Sequence, residues 1–152
     1  LFTASEKVAR NLQKIEQQAA NDGKHYQEEF AKQKGVVLSQ GAYIRVDALG
    51  EGKIHDDDIV TVTIKEMLTD GTVINDMAAE DKVLSQKLKT YPPIFFAAIK
   101  RLENHGTVTI VIPAERAYGA EGRPPKIPPG ATMVYSLSII DAVAANPLAK
   151  QP

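Results

Sequence analysis

The 152-residue chain has no cysteine. Disulfides, thiolate nucleophiles and cysteine-bound zinc are thereby excluded, and the redox compartment is left open. Its three histidines, His25, His55 and His105, are scattered with no paired spacing, so no metal site is expected. No serine lies in a nucleophile elbow. Gly119 and Gly122 follow a tyrosine in a proline-rich loop and open no helix, so the dinucleotide fingerprint is missing as well. A formal net charge of −1 implies no general attraction to nucleic acid or anionic membrane. No apolar run approaches the roughly 18 residues that span a bilayer, and no secretory signal precedes Thr3. The first residue is Leu rather than Met, which fits a mature or shortened form.

What the chain does have is concentrated in residues 112–141. Pro113, Pro124, Pro125, Pro128 and Pro129 each fix φ and remove a backbone donor, while Gly119, Gly122 and Gly130 permit positive φ. Together they prescribe one stiff, irregular loop. Tyr118 and Ile127 lie within it, so it reads as a preformed rim over an apolar surface. From Ala131 the pattern becomes strict alternation: Met133, Tyr135, Leu137 and Ile139 on one side, Thr132, Val134, Ser136 and Ser138 on the other. That is a half-buried strand.

Upstream, Thr3-Ala-Ser-Glu6 has capping-box form and opens a long helical pattern. Val8, Leu12, Ile15, Ala19, Tyr26 and Phe30 share a face, and Gly35 is a natural stop. About 30 residues of helix would run ~45 Å, longer than so small a domain can cover. The stripe therefore has to meet another surface or stay partly exposed. Asp22 on the seam and Gly23 in the middle argue against a self-sufficient coiled coil. Strands are expected over 42–49 and from Val60 through Ile64. The acidic run Asp56-Asp57-Asp58 before the second strand lacks calcium-loop spacing and reads as solvated. Asp70-Gly71 signals a hairpin returning through Ile74, and 83–88 is a weaker strand. Pro92-Pro93 introduces a helix over 94–102, and 107–112 alternates again.

These elements make an α+β protein: a long N-terminal helix over 1–36, an antiparallel-sheet domain with one short helix over 37–143, and a short tail over 144–152. The loop residues Ala117, Tyr118, Gly119, Gly122, Pro124, Ile127, Pro128, Pro129, Ala131 and Thr132 stand in the register of a known signature. The stretch resembles the FKBP-type peptidyl-prolyl cis-trans isomerases. Residues 21–37 resemble the linker helix of the macrophage-infectivity-potentiator group of bacterial FKBPs. The resemblance implies a curved antiparallel sheet wrapped around the short helix. It also implies a homodimer for the full-length protein, held by an N-terminal dimerisation domain, and a location in the bacterial periplasm or cell envelope.

Prolyl isomerisation suits a chain so poor in catalytic groups. The barrier, ~18–20 kcal/mol, is lost amide resonance, and no nucleophile, metal or cofactor is needed to lower it. A pocket that desolvates the amide and favours its twisted form is adequate. By the resemblance, Tyr118 donates to the carbonyl before proline with Asn75 beside it. The Ile127 amide holds a neighbouring carbonyl, and Ile64, Ile74, Tyr91, Phe95 and Tyr135 line the pocket. Several of these depart from the family pattern. Ile64 replaces a pocket tyrosine, Ile74-Asn75 an aromatic–aspartate pair, and Phe95 the floor tryptophan. Two readings follow: an isomerase and folding helper of reduced activity on proline-containing or unfolded polypeptides, with weak macrolide binding at most, or an inactive binding module on the same scaffold.

Overall fold

The computed structural model describes residues 1–145. Helix α1 occupies Ala4–Ala31; the capping box is formed, Thr3 accepting from the Glu6 amide and the Glu6 side chain accepting from the Thr3 amide. The helix ends a turn before Gly35: the Lys32 and Gln33 amides bond back to Glu29 and Phe30, and the chain turns there to deliver Val37 to the sheet. Phe30 is buried, and burying it takes precedence over local stop chemistry.

Seven strands follow: β1 (Val37–Ser39), β2 (Ala42–Ala48), β3 (Ile59–Leu68), β4 (Val73–Asp76), β5 (Leu84–Lys87), β6 (Thr107–Ile112) and β7 (Met133–Val143). All pairings are antiparallel in the order β1-β2-β6-β7-β3-β4, with β5 sharing the outer edge of β3 beyond β4. Pro93 opens helix α2 (Pro93–Ile99), which ends sooner than its periodicity suggests, although Leu102 is still buried in the turn beyond. The Asp70-Gly71 hairpin joins β3 to β4, with the Asp70 carboxyl accepting from the Thr72 amide.

The two sheet faces have different covers. On one, Ala98 and Ile99 of α2 meet Ile44, Val60, Val62, Ile110 and Leu137 in the main core. On the other, Phe30 of α1 packs with Val111 and Val134. β7 is therefore covered on both faces near its start, and Val134 is not on a solvent side. The Arg45 guanidinium helps seat α1, lying 5.1 Å from the Phe30 ring and bonding Gln33 and Thr109.

Gly23 is buried at the same seam. A Cβ there would meet Thr132 Oγ1 at 2.2 Å, and the neighbouring Gln27 amide donates to that oxygen at 2.8 Å. The glycine that weakens the isolated helix lets it lie on the sheet. Val8, Leu12 and Ile15, one stripe farther out, remain exposed. In the acidic run, Asp56 and Asp57 pair with Lys100 and Lys89, but Asp58 is buried and accepts from the His55 amide, which ties the turn before β3. Of the expected tail 144–152, residues 146–152 lie outside the described residues.

Candidate active site

The β6–β7 loop is fixed by its own backbone. A 3-10 turn at Ala114–Arg116 leads into Tyr118. Gly119 then bonds Ala114 at 2.7 Å, Gly122 bonds Tyr118 at 3.0 Å, and Arg123 and Ile127 exchange both bonds at 2.9 and 3.0 Å. Gly122 sits at φ +64°, where a Cβ would stand 2.6 Å from the Ile127 carbonyl oxygen, so only glycine suits this crossing.

Beside the loop lies an open cleft of about 510 Å³, bounded by Pro92, Pro93, Ile94 and Phe95, by Ile112, and by Ala117, Tyr118 and Tyr135. Phe95 meets Tyr135 edge to face, ring centres 5.5 Å apart at 88°. That geometry is favourable for aromatic rings and gives the cleft a rigid floor. Tyr118 also borders a second cavity of about 360 Å³ with Glu66, Ile74, Arg123, Lys126 and Ile127.

Tyr118, Phe95 and Tyr135, which the resemblance assigns to the pocket, all border the main cleft, and Ile74 and Ile127 border its neighbour. The other expectations need correction. Tyr91 is 4% exposed and belongs to the main core, its hydroxyl donating to the Val60 carbonyl at 2.8 Å. It is no cleft wall, because the chain entering α2 turns its ring under the sheet. Ile64 packs against the same core and borders neither cavity. Asn75 is exposed, borders neither cavity, and makes no hydrogen bond with Tyr118. The bulge that shifts the β3–β4 register beyond Glu66 sends Ile74, not Asn75, towards the loop. The Ile127 amide is spent on the Arg123 carbonyl and is not free for a ligand.

The group that does join Tyr118 is one that neither motif nor resemblance singles out. Glu66 Oε2 accepts from the Tyr118 hydroxyl at 2.6 Å and from the Tyr135 hydroxyl at 2.5 Å. Its position was legible. Val60, Val62 and Ile64 face inward at steps of two, the next step is Glu66, and cross-strand pairing sets it opposite Tyr135. Burial first, then the bond to Glu66, pushes the Tyr118 hydroxyl above its ordinary pKa. Tyr135 is raised further by the same two causes. Both phenols hold their protons through neutral pH and act as donors.

Residues 50–140 match the family described as FKBP-type peptidyl-prolyl cis-trans isomerase. The chain is 36% identical over 137 residues to the FKBP-type peptidyl-prolyl cis-trans isomerase FkpA of Escherichia coli K12, covering 87% of this chain and 50% of that protein. It is 33% identical over 133 residues to the probable FkpA of Neisseria meningitidis serogroup B, covering 86% and 49%. It thus spans about half the length of these curated relatives. Among solved structures, the crystal structure of E. coli FkpA superposes with a TM-score of 0.70 at 32% identity, over 95% of this chain and 75% of that one. A peptidyl-prolyl cis-trans isomerase from Pseudomonas syringae pv. tomato shares the fold, with a TM-score of 0.66 at 22% identity, over 84% and 95%.

Proposed function

Given that the chain belongs to the FKBP-type peptidyl-prolyl cis-trans isomerases, we propose that its cleft takes up a proline and the amide before it and speeds their cis–trans exchange. The observation that carries this is the convergence of Tyr118, Phe95 and Tyr135 on one open, aromatic-floored cleft of about 510 Å³. A proline ring on the Phe95–Tyr135 floor loses water around its amide. The planar forms, whose resonance is best solvated, then lose more than the twisted form does. A donor at the rim, Tyr118, holds the preceding carbonyl. Nothing in this scheme calls for a nucleophile or a cofactor.

The wider reading is a folding helper for proline-containing or unfolded polypeptides in the bacterial envelope, with α1 as the arm joining the domain to a dimerising partner in the longer protein. The exposed stripe of Val8, Leu12 and Ile15 supports the arm. Macrolide-type ligands bind weakly at most, since Ile74 replaces an aromatic wall.

Exchange NMR on a short Xaa–Pro peptide tests the proposal. The protein accelerates exchange above the uncatalysed rate, and Tyr118→Phe reduces the acceleration severalfold. One observation favours the alternative, a binding module without turnover: the Tyr118 proton is already given to Glu66. That version predicts no acceleration, with suppression of aggregation of an unfolded client intact.

A further inference from the structure

Tyr118 has one proton and two claimants. A phenol donates a single hydrogen bond, and here the bond goes to Glu66 Oε2 at 2.6 Å. The same oxygen takes the Tyr135 hydroxyl. Glu66 is half-buried and held on a strand paired on both sides, to Asn75 and to Tyr135. Among the described residues it forms no ion pair. Arg123 and Lys126, which border the same small cavity, leave it unpaired. Among the described residues, the two phenols are therefore its whole polar support.

Hydrogen bonds to an ionised acceptor are roughly twice as strong as neutral ones. A neutral peptide carbonyl reaching this cleft cannot take the Tyr118 proton without displacing a stronger acceptor. The displaced carboxylate keeps its bond from Tyr135, so displacement is feasible but costly. A side-chain rotation suffices, without movement of the strand, so the cost falls on how well the cleft holds the carbonyl.

Resting on the isomerase reading, we propose that Glu66 is a positioning residue acting through Tyr118: a resident competitor for the substrate carbonyl that keeps the cleft in a low-turnover form. Tyr118 then adds severalfold while Glu66 is present and much more once it is gone.

The experiment is exchange NMR on a short Xaa–Pro peptide with wild type, Glu66→Ala, Glu66→Gln, Tyr118→Phe and the double variant Glu66→Ala/Tyr118→Phe. Glu66→Ala is expected to raise kcat/KM about tenfold or more, corresponding to ~1.4 kcal/mol. The gain disappears in the double variant. Glu66→Gln, of the same size and uncharged, gains an intermediate amount and decides the matter if the alanine variant melts early. An absorbance titration supplies a second readout: in Glu66→Ala burial alone holds the Tyr118 hydroxyl up, the Glu66 bond being lost, and its ionisation moves to lower pH. An active wild type with no gain in either Glu66 variant, or a gain that survives Tyr118→Phe, overturns the competition and leaves the isomerase reading standing. Absence of acceleration by every variant, Glu66→Ala included, overturns both.

Discussion

Tyr91, buried in the main core, and Tyr118, half-buried on the β6–β7 loop, mark two regions that treat a phenol in opposite ways. At the closed end, where the chain enters α2, Tyr91 donates to the Val60 carbonyl, an acceptor that cannot move unless strand β3 moves. At the open end Tyr118 donates to a side chain, an acceptor that can rotate away. One bond is a tie within the fold; the other is exchangeable. A hydroxyl's capacity for function therefore depends less on how deeply it is buried than on what kind of group it is bonded to.

Phe95 bridges the two regions, packing on the main core and flooring the cleft, so removing it gives the largest effect. Phe95→Ala is expected to lose about 2–3 kcal/mol of stability, below the fully buried range because the ring is half-buried, together with at least about tenfold in exchange rate. Denaturant melts and exchange NMR measure the two losses separately. An intact rate would remove the floor from the cleft.

Tyr91 isolates the closed end. Burial pushes its hydroxyl from 10.0 up to about 12. Folding therefore favours the neutral phenol: the contribution is fully present below pH 10 and is lost as pH climbs through the folded value. About 2–3 kcal/mol attributable to this group should vanish over that window, and Tyr91→Phe should flatten that part of the stability–pH curve. At neutral pH the same substitution should cost about 1 kcal/mol, the worth of one buried hydrogen bond, with the exchange rate unchanged. A fall in rate would blur the division between the two ends.

The smallest effect is expected where the family pattern points most directly. Ile64→Tyr with Asn75→Asp restores residue types common in the family, but Ile64 faces the core and Asn75 faces solvent. The pair should change exchange less than about twofold. A large gain would show that these positions, and not Glu66, limit the cleft.

What could be read beforehand was set by local chemistry. The Thr3–Glu6 box, the Asp70-Gly71 hairpin, Pro93 at the start of α2 and the alternation along β3, β6 and β7 depend only on near neighbours. What failed depends on partners distant in sequence. Gly23 reads as a weak point in a helix until Thr132 is laid against it. The Ile127 amide is the exception, spent on nearby Arg123 in a loop bridge that no motif announces. Val134 reads as a solvent position until α1 covers it. Glu66 belongs to a third kind: its inward step was written in the strand period, and a charge at an inward position is the signal to follow.

Helix α1 lies on the sheet through its second half, where Gly23, Gln27 and Phe30 grip it; residues 4–15, about 18 Å at 1.5 Å per residue, are exposed. Because Thr132 sits where the rigid loop runs into β7, the boom and the mouth of the cleft share one mounting. A body that seized the outer stripe would carry the mouth at a fixed heading, like a lamp on a bracket, so its aim would be decided by geometry and not by the slack of a tether.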